Sequence, residues 1–259
     1  FTFLDKETIE KGFRDFADLV PESDHLFIRK GIQIGRAAKT YAVNEEADFY
    51  SDNIREIGDK IYFDFHTPTQ EIEDFVWEIP GIHNVENATV AIAILNNLGV
   101  DFETLKSGIA NFKGIKRRYT KHNFDSGKIY IDDYAHHPTE LNAVIGSIKT
   151  FYPHKKLLVV FQPHLFSRTR DFADGFAESL DKADELILLD IYPARELQEN
   201  FEGITSKWLL EKIKLENKEI STLNEAFDKI KNKDFDVLLT VGAGNIDTLY
   251  DGIVEWLNG

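Results

Sequence analysis

The sequence predicts an α/β protein of two domains, the second of which is doubly wound around a parallel sheet. From Arg118 onward, apolar runs of strand length alternate with segments of helical periodicity, which is typical of such a sheet. Before that point, period-two alternation favours an antiparallel β patch followed by helices. The 259 residues suit one large domain or two of ordinary size. We therefore expect one domain over residues 1–114 and another over residues 115–259.

The first domain begins with a predicted helix and continues with strands. Apolar residues recur at helical spacing over residues 6–20, which predicts a helix that Pro21 ends. Gly58 and Asp59 predict a hairpin turn between two of the strands, and Asp101 is the predicted N-cap of the last helix. The predicted strands cover residues 39–43, 48–57, 60–67 and 73–79. The two predicted helices that follow cover residues 83–99 and 102–112.

The second domain alternates predicted strands with predicted helices. Pro138 suits the first turn of its helix, where a backbone N–H would have no partner in any case. The apolar run 157–161 is typical of a parallel strand that is covered on both faces. The predicted strands cover residues 128–134, 157–161, 185–191, 218–221 and 237–241. The predicted helices cover residues 138–151, 168–180, 206–213, 223–230 and 246–257.

The composition excludes several classes of protein. The absence of cysteine excludes disulfides, thiolate metal sites and a cysteine nucleophile. A net charge of −15 argues against a nucleic-acid partner, which would need a basic surface. No apolar run approaches the ~18–20 residues of a membrane helix, so we expect no membrane partner and a cytoplasmic location. The absence of methionine and the start at Phe1 indicate a fragment.

Polar and ionisable residues follow four predicted strands of the second domain, at the point where each strand ends. Ligands of open α/β sheets bind at this carboxyl edge. Chance placement would scatter such residues over both ends of the sheet, so we expect one binding site at this edge. The four segments are residues 132–140, 162–170, 192–196 and 242–245.

The first of these segments also has an interpretation without function. His136 and His137 are adjacent, so their side chains diverge and a shared metal is not expected. Metal-binding pairs on helices usually stand three or four residues apart. Asp132 or Thr139 could simply cap a helix.

The arginines and glycines of the other segments have similar alternatives. Arg168 and Arg170 could be solvated surface charges, an interpretation that we favour for Arg170. Gly242 and Gly244 resemble the start of a dinucleotide fingerprint, but Asp247 stands where the third glycine would be. A role in a turn and in packing is at least as well supported for these glycines.

Residues 81–88 open a helix at the end of the first domain, and their letters are G-I-H-N-V-E-N-A. Asn84 could be the N-cap of that helix. Amide side chains also donate and accept hydrogen bonds in the pattern that an adenine edge requires. A contact to a nucleotide base is therefore the alternative for Asn84.

Six segments occur in order from Gly81 onward: G-x-H-N-x-x-N-A, F-K-G-I-K-R-R-Y, D-D-Y-A-H-H-P-T-E, F-Q-P-H-x-x-S-R-T, D-I-Y-P-A-R-E and G-A-G-N-I-D. Together they resemble the successive signatures of the Mur ligase family, in the branch that joins L-alanine to UDP-N-acetylmuramate. The first 80 residues resemble, more loosely, the late part of the family's central ATPase domain. The resemblance implies a truncated central ATPase domain followed by a Rossmann-like C-terminal domain.

The resemblance also implies an activity. The enzyme would be an ATP-dependent ligase of peptidoglycan precursor synthesis, with UDP-N-acetylmuramate, L-alanine and ATP as substrates and Mg²⁺ as its metal. ATP would phosphorylate the lactyl carboxylate, and the alanine amine would then displace phosphate from the acyl phosphate. Such chemistry depends mostly on positioning and on neutralising phosphate charge.

The resemblance assigns roles to two sets of residues, which we expect to share one pocket. Asn84 and Asn87 resemble adenine contacts, Asp133 resembles a ribose contact, and His136 and Arg168 would be catalytic. The nucleotide-binding set is His83, Asn84, Asn87, Arg117, Arg118 and Asp133. The set for the amino acid and the acyl phosphate is Tyr134, His136, His164 and Arg168.

The chain departs from the family pattern in two places. Leu165 stands where many members carry arginine, which bears on how the alanine carboxylate is held. No G-x-x-x-x-G-K-[ST] loop occurs in the sequence, so no metal ligand is expected in this chain. The residues that bind the ATP phosphates and Mg²⁺ are expected upstream of Phe1. We therefore predict that the chain alone has no ligase activity.

Three other functions stay open. A recycling ligase of the same family would attach a preformed peptide to the same sugar nucleotide, although the F-Q-P-H-x-x-S-R-T segment favours the alanine enzyme. A paralogue without a phosphate loop would bind a nucleotide and catalyse nothing. An NAD-dependent oxidoreductase would rest only on the fold and on the partial G-x-G.

Overall fold

The computed structural model describes residues 6–58 and 60–259, and it describes Lys6 by its backbone alone. The chain divides into two compact units, residues 1–113 and 114–259. In the predicted hairpin turn, Gly58 has a φ of +65°, while Asp59 lies outside the described residues. Across the described ranges, no helix is long and apolar enough to cross a lipid bilayer.

The first unit is built on a five-stranded sheet in the order β1-β2-β3-β4-β5. Helix α2 packs on β2 and β3, and α3 packs on β5. The Asp101 carboxylate accepts a hydrogen bond of 2.9 Å from the Thr104 N–H, which confirms the predicted cap of α3. The strands are β1 (Phe27–Arg29), β2 (Lys39–Val43), β3 (Phe49–Ile57), β4 (Lys60–His66) and β5 (Glu71–Trp77). The helices are α1 (Lys6–Ala17), α2 (Ile82–Asn97) and α3 (Phe102–Ala110).

The prediction of an antiparallel patch is wrong for part of this sheet. β3, β4 and β5 are antiparallel, but β1, β2 and β3 pair in parallel, and β1 was not predicted. Parallel neighbours usually need a crossover of about a dozen residues, yet residues 44–48 alone join β2 to β3. Asp48 closes this short connection, because its Oδ2 accepts bonds from the Thr40 N–H at 2.8 Å and the Thr40 hydroxyl at 2.7 Å. The alternation of apolar residues in the sequence does not reveal such a side-chain hydrogen bond, so the parallel pairing could not be predicted from it.

Aromatic rings form the core of the first unit. Phe63, Phe65 and Phe75 are fully buried, and the Phe75 ring centroid lies 5.5 Å from Phe63 and 6.0 Å from Phe65. Such ring pairs add to the stability that burial alone provides. The buried hydroxyls of Ser51 and Thr89 share a hydrogen bond of 2.7 Å, which fixes α2 against β3.

The second unit confirms the prediction of a doubly wound α/β domain. Its six strands lie in the order β10-β9-β8-β11-β7-β6, and all pairs are parallel except β6 with β7. The antiparallel edge strand β6 was not predicted. The strands are β6 (Thr120–Asn123), β7 (Ile129–Asp133), β8 (Leu157–Phe161), β9 (Glu185–Leu189), β10 (Lys218–Ser221) and β11 (Val237–Val241). The helices are α4 (Pro138–Phe151), α5 (Phe166–Asp171), α6 (Ala173–Leu180), α7 (Ser206–Lys212), α8 (Leu223–Lys231) and α9 (Tyr250–Asn258).

The segment predicted as one helix over residues 168–180 consists of two helices, α5 and α6. Phe172 interrupts them with a φ of −120°, which is outside the helical range. Its ring packs edge-on against His137, with centroids 4.6 Å apart. This contact links the junction of α5 and α6 to the loop after β7.

Asp132, at the end of β7, is 1% exposed and caps no helix, so its interpretation as a cap is wrong. The Thr240 hydroxyl on β11 donates to the Asp132 carboxylate at 2.7 Å and shares a second bond of 2.8 Å with the Tyr130 hydroxyl. Burial raises the pKa of Asp132 to about 6, although the Thr240 bond and nearby Arg117 act in the opposite direction. The folded chain therefore binds this proton more tightly than the unfolded chain does.

The substitution Asp132→Asn is expected to stabilise the fold at pH 7. With the pKa raised from 3.8 to about 6, the contribution of Asp132 to stability is complete below the unfolded value and is lost as the pH rises through the folded value. The gap corresponds to ~2–3 kcal/mol. Urea unfolding should show a free energy of unfolding higher by ~2 kcal/mol for D132N at pH 7, and a difference near zero at pH 4. The exposed Asp125→Asn serves as the control, and an equal difference at both pH values would contradict this account.

Candidate functional site

The loops after β7 and β8 meet at the carboxyl edge of the second sheet, although β11 lies between these two strands. His136 follows β7 and His164 follows β8, and their ring centroids are 6.2 Å apart in an edge-to-face arrangement. Parallel strands present their carboxyl ends at one edge. The structure therefore brings together two of the residues predicted to bind the amino acid.

Two glycines after β11 leave the space in which these loops meet. A Cβ at Gly242, whose φ is +148°, would lie 2.6 Å from the Gln162 carbonyl oxygen. A Cβ at Gly244 would lie 2.3 Å from Gln162 Oε1 and 2.8 Å from the Tyr192 ring. The turn-and-packing interpretation of this G-x-G is confirmed, because any side chain would collide with the neighbouring loops.

Glu140 orders the loop between β7 and α4. Its Oε2 accepts hydrogen bonds from the backbone N–H groups of His136 at 2.9 Å and His137 at 3.2 Å. The His137 ring accepts from the Thr139 N–H at 3.3 Å, so His137 is the N-cap of α4 and the interpretation of Thr139 as the cap is wrong. Burial would raise the pKa of Glu140, but the bond from the His136 backbone and the His136 ring bring it below its ordinary value.

The His136 ring has a defined orientation within this loop. Its Nδ1 lies 3.0 Å from the Tyr134 carbonyl oxygen, which can only accept, so Nδ1 is the protonated nitrogen of the neutral ring. The Tyr134 ring packs edge-on against it at 5.4 Å. The Nε2 atom is therefore the basic nitrogen of His136.

His164 and Arg168 form a pair at the start of α5. Arg168 Nη1 donates to His164 Nδ1 at 3.3 Å, which puts the proton of the neutral imidazole on Nε2. The His164 ring also stacks on Tyr192 at 5.6 Å. Burial and the Arg168 charge lower the pKa of His164, and so favour its neutral form.

The loop after β9 holds the loop after β8 in place. The Glu196 carboxylate accepts from the Ser167 N–H at 3.0 Å and from the Ser167 hydroxyl. Leu165 has a φ of +71°, an unfavourable value for leucine, and its N–H donates to the Tyr192 carbonyl at 2.9 Å. The sequence placed residues 192–196 at the site edge, but it gave no sign that Tyr192 and Glu196 position their neighbours.

Asp133 ties two stretches of backbone together. Its carboxylate accepts from the Tyr119 N–H and from the Ala135 N–H, both at 2.7 Å. Burial raises its pKa, although these two bonds and Arg118 act in the opposite direction. Each carboxylate oxygen keeps further acceptor capacity, so a ribose contact at Asp133 stays a prediction.

Arg117 and Arg118 both lie over the Tyr134 ring, at 4.7 Å and 5.7 Å from its centroid. Arg117 donates to the carbonyl oxygens of Gly242 at 2.6 Å and Gly244 at 3.1 Å, so its guanidinium also holds the loop after β11. Arg118 is exposed. Nucleotide contacts by these two arginines stay predictions.

His83, Asn84 and Asn87 lie in the first turns of α2, in the first unit. The N-cap of this helix is Gly81, with a φ of +98°, so the interpretation of Asn84 as the cap is wrong. The Asn84 amide instead donates to the Pro80 carbonyl at 2.8 Å. His83 and Asn87 are exposed, and adenine binding by this group stays a prediction.

The residues present do not fit a metal site. In the part of the chain that the structure describes, no group of three or more histidine, aspartate or glutamate side chains could hold a metal ion. The sequence also contains no phosphate-binding loop.

The sequence of the chain matches a ligase family. The family described as "Mur ligase, glutamate ligase domain" matches residues 117–244. The UDP-N-acetylmuramate–L-alanine ligase of Flavobacterium psychrophilum is 43% identical over 254 residues, which make up 98% of this chain and 56% of that protein. The chain belongs to the Mur ligase family. It spans about half the length of the curated relatives that it matches.

Solved structures share the fold of this Mur ligase chain. The UDP-N-acetylmuramate–alanine ligase of Thermotoga maritima has a TM-score of 0.69 at 24% identity, over 85% of this chain and 48% of that one. The folylpolyglutamate synthase of the same organism has a TM-score of 0.69 at 19% identity, over 98% of this chain and 58% of that one. Since proteins of such different names share the fold, these likenesses establish the fold alone.

The substitution Arg168→Gln is expected to raise the pKa of His164, because it removes the charge that disfavours the imidazolium. NMR titration of the imidazole resonances in the isolated chain measures the change. Arg170→Gln is the matched control, since Arg170 is half exposed and bonded to Asp171, as expected of a surface charge. An unchanged His164 titration in R168Q would show that the two side chains are not paired.

The substitution Glu196→Ala is expected to loosen the first turn of α5, because the Ser167 N–H loses its acceptor. A lost hydrogen bond of this kind costs about 1 kcal/mol, so amide exchange at Ser167 should be about fivefold faster. Hydrogen exchange followed by NMR measures this rate. Glu199→Ala, at an exposed carboxylate on the same loop, should leave the rate unchanged. Equal exchange rates at Ser167 in E196A and in the wild type would show that Glu196 does not hold the first turn of α5.

Proposed function

We propose that this chain is the C-terminal part of an ATP-dependent ligase that joins L-alanine to UDP-N-acetylmuramate in peptidoglycan precursor synthesis. The observation that carries the proposal is the meeting of His136, His164 and Arg168 at the carboxyl edge of a Mur ligase domain. The name carried by relatives at 43% identity supports this choice of substrates. The reaction uses ATP and a UDP-sugar, and we propose a cytoplasmic location for it.

Arg168 is the residue that we assign to the carboxylate of alanine and to the acyl phosphate oxygens. Its planar guanidinium matches the geometry of both groups. The bond from Nη1 to His164 at 3.3 Å uses one donor and orients the others. Leu165, where many family members carry arginine, adds no charge, so anion binding by this loop depends on Arg168.

His136 is the residue that we assign as the proton acceptor. When the amine nitrogen bonds to the acyl carbon, the carbon–oxygen bond to phosphate breaks and phosphate leaves with the electron pair. The amine must then lose a proton to a base. Because Nδ1 of His136 donates to the Tyr134 carbonyl, Nε2 is the nitrogen that accepts this proton. His164, whose Nε2 carries a proton, donates to a substrate oxygen.

ATP supplies the phosphoryl group that activates the carboxylate. In this chain we assign the adenine to His83, Asn84 and Asn87, whose amides match its donor and acceptor edge. We assign the ribose to Asp133, with Arg117 and Arg118 beside the nucleotide. The ATP phosphates and Mg²⁺ are assigned to the N-terminal part of the enzyme, because this sequence contains no phosphate loop.

A chimaera tests the proposal: the N-terminal part of the Flavobacterium psychrophilum ligase fused to this chain in place of its own matching segment. With ATP, UDP-N-acetylmuramate and L-alanine, the chimaera should release phosphate, whereas the chain alone should release none. In the chimaera, Arg168→Met should lower kcat/KM about 100-fold or more, which corresponds to ~3 kcal/mol of transition-state stabilisation. Arg170→Met should leave it within about twofold.

Three results would overturn the proposal. Faster phosphate release with a preformed tripeptide than with alanine would identify the recycling ligase. A folded chimaera that binds ATP without turnover would identify a non-catalytic paralogue. Phosphate release by the chain alone would show that its own residues hold the ATP phosphates.

A further inference from the structure

The helix α1 presents an apolar stripe to solvent. Ile9, Phe13 and Phe16 are 45%, 65% and 70% exposed. At about 100° per residue, these three positions lie within an arc of about 60° on the helix. Two phenylalanines and an isoleucine on one side of a helix are unusual for a free surface and mark an interaction site.

The stripe is not the side by which α1 contacts the rest of the first unit. Ala17 is the one buried side chain among those described in α1, and it lies at the edge of the stripe, about 60–80° from its centre. The Arg36 guanidinium donates to the Ala17 carbonyl at 3.1 Å and fastens the same end of the helix. Among the described residues, the contacts that hold α1 thus leave its apolar face exposed.

The strands that follow α1 are incompletely covered. Parallel sheets are normally covered on both faces, yet Ala42 is the one buried residue of the parallel pair β1 and β2. By contrast, the antiparallel β4 buries four of its residues, Ile61, Phe63, Asp64 and Phe65. Helix α2 packs on β2, so the strand pair is partly covered, whereas the described residues leave the helix stripe exposed.

We propose that the face formed by Ile9, Phe13 and Phe16 docks the N-terminal part of a Mur ligase, the part that carries the phosphate-binding loop. The curated relatives supply the argument for this occupant, since the chain matches their C-terminal part and spans 56% of the first. Their remaining residues form a polypeptide large enough to cover the stripe and the parallel strands. The inference rests on the proposed ligase function for the identity of the partner.

Co-expression tests the docking directly. The chain is produced with a tagged N-terminal part of the Flavobacterium psychrophilum ligase, comprising the residues before the matched segment. The two should co-purify in equal amounts and sediment as a heterodimer. The double variant Phe13→Glu, Phe16→Glu should reduce co-purification at least tenfold. The matched control is Leu197→Glu, at an apolar side chain of the second unit that is 59% exposed, and it should co-purify like the wild type.

Each other outcome overturns the docking. Wild-type chain that does not co-purify with a soluble N-terminal part shows that the face does not bind it. Equal co-purification of the double variant places the contact elsewhere. A dimer of the chain alone that the double variant abolishes assigns the face to a second copy. Loss of the circular dichroism signal in the variant shows that the stripe already packs within the chain.

A ligase assay on the purified pair separates this inference from the proposed function. A heterodimer that forms but does not join alanine to UDP-N-acetylmuramate refutes the function and leaves the docking intact. A chimaera that ligates alanine while the separate parts do not associate refutes the docking alone.

Discussion

The candidate site depends on how closely the loop after β11 lies against its neighbours. Because β11 separates β7 from β8, any side chain on Gly242 or Gly244 would fill the space that Gln162 and Tyr192 occupy. The Gln162 side chain lies in that space and bonds to the loop after β11. Its Oε1 accepts from the Ile246 N–H at 3.0 Å, and its Nε2 donates to Asn245 Oδ1 at 2.8 Å. The loops on either side can then approach each other above β11. The close packing of these backbone loops therefore creates the candidate site, and the positions of its polar side chains depend on that packing.

The two imidazoles of the site have opposite hydrogen-bonding states for local reasons. His136 faces a carbonyl through Nδ1, whereas His164 faces the guanidinium of Arg168 through Nδ1. One ring therefore presents a basic Nε2 and the other presents an Nε2–H. The lowered pKa of His164, caused by burial and by Arg168, favours the neutral form of that ring. A pair of this kind can accept a proton from one group and donate to another without sharing a charge.

The sequence predicted most where a single rule was sufficient. The bounds predicted for α4, β8 and β11 are confirmed, because these two buried parallel strands are continuous apolar runs and a proline starts the helix. The carboxyl-edge rule likewise brought His136, His164 and Arg168 into one set, and the structure joins them. Features that depend on contacts between separate loops could not be predicted. Three such features are the bond from Ser167 to Glu196, the stacking of Tyr192 on His164 and the parallel pairing that Asp48 closes. Each depends on the strand order or on one side-chain hydrogen bond, and neither of these changes the spacing of apolar residues in the sequence.

The two units differ in how completely their parallel strands are buried. The unit with the more completely buried strands is also the one whose sequence resembles the family more closely. In β8, β9 and β11 every residue is buried, whereas β1 and β2 bury Ala42 alone. The segments that resemble the family most closely begin at Gly81, beyond these two partly covered strands. The residues that we predict to bind the amino acid in the second unit are positioned by contacts within that unit, so the sequence of this chain is sufficient to show their pattern. The apolar stripe of α1 makes no contact among the described residues that would identify its partner. If its partner is the N-terminal part of the enzyme, as proposed, the same missing segment explains both the exposed stripe and the looser resemblance of the first 80 residues.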